Sequence, residues 1–255
     1  MKYINTFKTH ASYEAEINGG VDISLPNISY CEDVKDVHYN PYNTVEFYVG
    51  EITEPQTVSI YTDISTSVDV QVSKGNKWYS YVLPKDKGLY RMEGGSVKKV
   101  VAKADIVTED CETIIPSSTV EASFKGSNTS NVTDMRYMFA GCSGLTSLDL
   151  SGWNISNVYF MSGMFHNCSK LTSLNLSSFD TSNVAYMDGM FFGCDSLTFL
   201  DLSGWVINDA TSVTDMFYSL THHTSLEKIR MVGCSEGTIG KINSVKPSTA
   251  KIVTE

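Results

Sequence analysis

Apolar residues in the second half of the chain follow one spacing and then switch to another. Val132, Met135, Met138, Phe139 and Cys142 recur at intervals of three and four, the stripe of one helical face. Leu145, Leu148 and Leu150 follow in an L-x-x-L-x-L spacing that reads as a short strand. The whole phrase returns every 26 residues. Met138, Met164, Met190 and Met216 correspond, as do Phe139, Phe165, Phe191 and Phe217, and Cys142, Cys168 and Cys194. After Phe217 a short insertion around His222, His223 and Thr224 shifts the register, and Leu226, Ile229 and Cys234 then align with Leu197, Leu200 and Trp205. There are three full repeats and one degenerate one.

Asn131, Asn157, Asn183 and Asp209 stand just before each stripe, where a helix N-cap belongs. Each repeat is therefore expected to be one short helix plus one short strand. A single coil of this size buries too little to offset the entropy of ordering it, so the coils must stack and be capped at both ends. Residues 235–255 supply one cap: Ile239, Ile242 and Val245 share a helical face behind Ser235, and AKIVTE (250–255) reads as a last strand. Residues 111–127 are expected to form the first rung and the other cap.

Residues 44–110 alternate in short runs, among them TVEFYVG (44–50), TVSIYT (57–62), SVDVQVS (67–73), WYSYVL (78–83), LYRM (89–92) and VKKVVA (97–102). Such strands, punctuated by Gly, Asn and Pro, predict a small antiparallel β-sandwich or barrel. Ahead of them, residues 1–43 read as an arm with a short helix at 9–17 and a hairpin about DVKD (33–36). The expected class is α+β: a small N-terminal β domain, then a leucine-rich-repeat-like α/β solenoid over 128–234, then the C-terminal cap.

Charge and composition narrow the partners. A formal charge of −10 and a pI near 4.9 argue against nucleic acid or an anionic membrane. No apolar run is long enough to span a bilayer. The opening MKYINTFKTHASYEAEI lacks an apolar h-region, so export by the usual signal is not expected. Six cysteines in 255 residues do not make a disulfide scaffold, which fits cytoplasmic synthesis with reduced thiols.

The cysteine row raises the question of thiol chemistry. Cys142, Cys168 and Cys194 fall on the inner stripe beside Phe and Met, where a free cysteine packs as a small hydrophobe. No histidine or carboxylate shares those inner positions, so no zinc site is expected there. Cys31, His38 and His10 lack the third orienting group that a nucleophile pair needs, and His222 and His223 read as solvated loop residues. No cofactor, metal or catalytic residue is expected. The outward strand positions are the remaining candidates for ligand contact: Ser147, Asp149, Ser173, Asn175, Phe199, Asp201 and Arg230, with Arg230 placed to pair with Asp201 on the neighbouring rung. Phe199 is the one large apolar residue predicted on that face.

SNVTDMRYMFAGCSGLTSLDLSGWNISNV resembles the repeats of BspA-type leucine-rich-repeat surface proteins, also described as the mycoplasma lipoprotein-like repeat family, over about 128–234. That resemblance implies adhesion to host or matrix proteins and no catalysis. YINTFKTHASYEAEI and LPNISYCEDVKDVHYNPY, within 1–43, are similar to N-termini of structural proteins of Bacteroides phages, including crAss-like phages. This implies docking on other virion proteins, with Tyr3, Phe7, Tyr30, His38 and Tyr39 as contact positions, and a virion made in the host cytoplasm. The solenoid would then meet a host surface protein or glycan. The alternative is a bacterial cell-surface or secreted adhesin. A homo-oligomer is compatible with either, though no heptad pattern demands one.

Overall fold

A computed structural model describes residues 28–31, 43–107, 113–218 and 225–255. The expected helix at 9–17, the turn at 33–36, and Tyr3, Phe7, His10, His38, Tyr39, His222 and His223 lie outside the described residues. Tyr30 is described by its backbone, in β1.

Every alternating run within 44–110 contributes to a strand, and one more strand comes from residues 28–31 ahead of them. These are β1 (Ile28–Cys31), β2 (Thr44–Val49), β3 (Gln56–Tyr61), β4 (Ser67–Val72), β5 (Lys77–Val82), β6 (Arg91–Gly94) and β7 (Val97–Lys103). One antiparallel group runs β1-β5-β2-β7 and a second runs β4-β3-β6. Val45, Phe47 and Val49 of β2 and Val58 and Ile60 of β3 are fully buried. β7 is the junction, antiparallel to β2 along one edge and parallel to β8 (Glu121–Ser123) along the other. The antiparallel strands thus grade into the solenoid, within one buried cluster that runs from Val45 to Ala250. A separate small β domain is not established by them.

The remaining strands are three residues each: β9 (Ser147–Asp149), β10 (Ser173–Asn175), β11 (Phe199–Asp201), β12 (Lys228–Arg230) and β13 (Lys251–Val253). With β7 and β8 they are the rungs of a β-solenoid of about six turns. Inside, equivalent residues stack coil on coil. The rings of Phe139, Phe165, Phe191 and Phe217 follow one another at 5.7, 5.6 and 5.5 Å, nearly parallel. Stacking of this kind is offset rather than face-to-face, the arrangement that the ring quadrupole favours.

The expected helices of the repeats are turns instead. Among the described residues the one α-helix is α1 (Glu236–Val245). The reason lies in where the backbone N–H groups go. Those of Met135, Tyr137, Phe139 and Gly141 donate to Phe160, Ser162, Met164 and His166 of the next coil, at 2.8–3.2 Å. Those of Met138, Ala140 and Cys142 turn back three residues within their own coil. An α-helix would keep all of these bonds to itself. Two left-handed residues per turn enforce the break: Tyr137, Gly163, Gly189 and Asp215 at one repeat position, and Gly141, Asn167 and Gly193 at another, all with φ between 52 and 71°. The inner stripe stays buried because a tight turn also alternates inward and outward residues.

The expected N-caps are corrected with the helices. The amides of Asn157 and Asn183 donate to the carbonyls of Ser130 and Ser156, each at 2.7 Å, tying a coil to the one before. The C-terminal cap has the form its sequence predicts. Ser235 accepts from the Thr238 N–H at 3.2 Å, Ile242 is buried, Ile239 and Val245 pack against the core, and β13 adds to β12 in parallel.

Candidate functional site: the strand column

The three-residue strands place equivalent side chains in rows. One row runs Ser173, Phe199, Lys228 and Lys251, and the next runs Asn175, Asp201, Arg230 and Val253. On the earlier rungs Ser147 pairs with Glu121 and Asp149 with Ser123. All seven strand candidates therefore lie on this column. The pairing of strands is interrupted once: β8 joins β9 and β10 joins β11, but β9 and β10 fall in different sheets. Ser147 and Asp149 belong to one side of that seam, and the other five candidates to the other.

The acidic and amide positions have a local task that the spacing did not reveal. One oxygen of Asp149, Asn175 and Asp201 accepts the N–H of Ser151, Ser177 and Ser203, at 2.9–3.0 Å, and so closes the turn after each strand. Asp201 is buried, and its other oxygen meets Arg230 Nη1 at 3.0 Å, the pairing that the sequence spacing anticipates. Burial pushes the Asp201 carboxyl up, but the hydrogen bonds from Ser203 and Arg230 outweigh it and hold the group below the ordinary carboxylate range. Phe199 is half-buried, with the Lys228 ammonium 5.8 Å from its ring centre. Ser147, Ser173 and Asn175 are exposed. What the column offers a ligand is a row of short hydroxyl and amide groups, one half-buried aromatic ring, the exposed ammonium groups of Lys228 and Lys251, and a charge pair already matched.

The thiols are interior. Cys142, Cys168 and Cys194 are buried, and Cys168 and Cys194 donate weakly to the carbonyls of Phe139 and Phe165. Burial pushes the Cys142 and Cys194 thiols up to about 12 and that of Cys168 higher still, so none is a thiolate near neutrality. Cys31 is described by its backbone alone, opposite Trp78. Among the described residues no group of three or more His, Cys, Asp or Glu is placed to hold a metal ion, and no helix is long and apolar enough to cross a membrane. An open groove of about 770 Å³ lies where the antiparallel strands meet the first coil, lined by Arg91, Glu93, Gly94, Thr113, Ser117 and Gly141. Arg91 is already engaged there, by Glu93 at 3.2 Å and over the Tyr61 ring at 4.3 Å.

Another set of exposed side chains escaped the sequence reading altogether. Tyr137, Tyr159, Tyr186 and Tyr218 are 41–47% exposed on the turn side of the coils. The signal was present, since aromatic rings recur at the repeat positions of Phe160 and of His166. Treating those segments as helices hid the fact that equivalent residues would stack in columns.

Residues 110–228 match a family described as Mycoplasma protein of unknown function, DUF285. The match spans most of the repeats, and the repeat segment is thus similar to a surface-repeat family whose function is unknown. No curated protein and no solved structure matches the chain.

Proposed function

We propose that this chain is a non-enzymatic binding protein that displays its solenoid to a protein or glycan on a host surface. The observation that carries the reading is the strand column. It sets exposed Ser173 and Asn175 on a ladder with the half-buried Phe199, and exposed Ser147 on the rung across the seam, so that hydrogen-bonding groups are presented at low cost in lost conformational freedom. Similarity of the repeats to a surface-repeat family supports display. Burial of the three repeat thiols, which removes them as nucleophiles, supports a role without catalysis.

The assembly side of the proposal rests on the N-terminal sequence. Residues 1–43, similar to the N-termini of phage structural proteins, would dock the chain on other virion proteins through Tyr3, Phe7, Tyr30, His38 and Tyr39. The protein would then be a virion component made in the host cytoplasm, self-associated or single. The alternative is a bacterial surface or secreted adhesin, which the surface-repeat similarity favours on its own.

Immunogold electron microscopy with antibody against 128–234, on the producing culture before and after lysis, separates the two. Gold on phage particles supports the virion reading. Label on the envelope of uninfected cells sinks it and leaves the adhesin.

A further inference from the structure

Two columns of rings run along the turn side of the solenoid, each built from one repeat position. In the first, Phe160 and Tyr186 are bridged coil to coil and their rings lie 5.3 Å apart at 16°. Tyr159 packs edge-on against both, at 4.8 and 5.8 Å. In the second, His166, Phe192 and Tyr218 follow at 4.6 and 5.3 Å, and Tyr137 meets His166 edge-on at 6.3 Å. The core does not account for these rings, because the inner phenylalanine column already fills it.

The geometry says what such a surface presents. Near-parallel rings 5.3 Å apart exceed the 3.5–4 Å of direct contact, so they are slid past one another. Solvent meets chiefly the four tyrosines, 41–47% exposed, while Phe160, His166 and Phe192 are half-buried beside them, and the columns run along the solenoid axis. Four tyrosines exposed together on one side of the coils mark a place of contact.

The fixed charges of this side are largely cancelled or busy. Arg136 is held by both oxygens of Asp134, at 2.6–3.0 Å, and lies 4.9 Å over the Phe160 ring. Asp188 accepts from the Ser212 hydroxyl and the Thr214 N–H. Burial lowers the His166 basicity, which leaves that ring uncharged near neutral pH. No cation among these groups is left over for an anionic partner, and the chain's charge of −10 repels one.

We propose that the turn side is a binding platform for a neutral polysaccharide lying along the solenoid axis. Pyranose rings carry weakly positive C–H faces that settle on the negative faces of aromatic rings, and their hydroxyls find the tyrosine, serine and threonine hydroxyls alongside. Repetition is the second argument. A site that repeats itself coil after coil fits a polymer that repeats itself unit after unit, a translation that folded proteins other than a second solenoid lack. This face is distinct from the strand column, so either proposal fails without the other.

Affinity electrophoresis of the full chain tests it, in native gels containing hydroxyethyl cellulose, xyloglucan, glucomannan, mannan or dextran, with hyaluronate and alginate as anionic contrasts. Retardation by at least one neutral polymer and by neither anionic one is expected. The double variants Phe160→Ala/Tyr186→Ala and His166→Ala/Phe192→Ala should each weaken it at least about fivefold, whereas Ile64→Ala, at a 65% exposed side chain between β3 and β4, should leave it unchanged. If the double variants unfold, Tyr159→Ala and Tyr186→Lys, at rings 47% and 43% exposed, take their place with the same expectation. Absence of retardation in every neutral gel overturns the proposal. So does retardation that the ring variants do not alter, or that appears only with the anionic polymers. Sedimentation that finds a dimer dissolved by the ring variants would also overturn it, by making the columns an interface between copies.

Discussion

The indole N–H of Trp205 donates to the carbonyl of Leu176, one coil back, at 3.0 Å. Trp153 does the same to Phe124 at 3.1 Å, and the Cys234 thiol reaches Leu202 at 3.3 Å. The remaining member of this column is Phe179, which has no donor to offer Leu150. The missing bond falls at the same coil junction where β9 and β10 fail to pair. Phe179→Trp is therefore expected to stabilise the fold, by about 1 kcal/mol, the net worth of one added hydrogen bond. Urea unfolding measures it, and slower amide exchange in 147–150 and 173–176 would locate the gain at the seam. Equal or lower stability would mean that the seam is set by backbone geometry, not by the absent donor.

Gly163 has φ +64°, and a Cβ built on it would stand 2.4 Å from the Tyr137 ring. Gly141 has φ +71° with nothing within 4 Å of its would-be Cβ. Gly141→Ala should thus cost only the left-handed strain, about 1–2 kcal/mol. Gly163→Ala should cost more, and Tyr137→Ala in the same chain should recover the excess. A double-mutant cycle by thermal unfolding checks this; additive effects would deny that the tyrosine rests on the glycine.

Asp201 gives the stability a dependence on acid. Its carboxyl is held below the ordinary value of about 3.9, so folding binds fewer protons than the unfolded chain does. The stabilisation is complete above the unfolded value and is lost as pH falls toward the lower folded one. Asp201→Asn keeps an acceptor for Ser203 but gives up the charge facing Arg230. Its Tm should fall less than that of the parent between pH 5 and about 3, and parallel pH profiles would show that the pair contributes nothing.

Alkylation should separate the thiols by depth. Cys142, Cys168 and Cys194 should stay unlabelled by iodoacetamide at pH 8 in the folded chain, while the partly exposed Cys234 reacts first of these four. Peptide mass mapping in buffer and in urea reads the difference. Rapid labelling of Cys168 in buffer would mean that the coils open readily.

Phe199→Ala should weaken attachment of the labelled chain to cells of the producing culture while the fold survives. The ring is only half-buried, so its loss is expected to cost at most about 1–2 kcal/mol. Flow cytometry reads the attachment and circular dichroism the fold. Undiminished attachment, or unfolding, would remove Phe199 from the strand-column proposal.

The 26-residue period by itself determined that the chain stacks, which residues face inward, and that the cysteines are core. Those conclusions need only that equivalent residues occupy equivalent places, and Phe139, Phe165, Phe191 and Phe217 occupy one ring column. Ser235 and the apolar face behind it likewise fixed the C-terminal helix, because a cap and a stripe are local facts. Tertiary structure decided the rest. Whether the Val132–Cys142 stripe winds as a helix or folds as a turn depends on whether its N–H groups find partners within the coil or on the next one, and a stripe of inward residues serves both. The antiparallel strands merge with the solenoid because β7 has two edges, one for β2 and one for β8. The outer aromatic columns came from the same source. Phe160 and Tyr186 are 26 residues apart in the chain and 5.3 Å apart in space, and only the pitch of the coils brings them together.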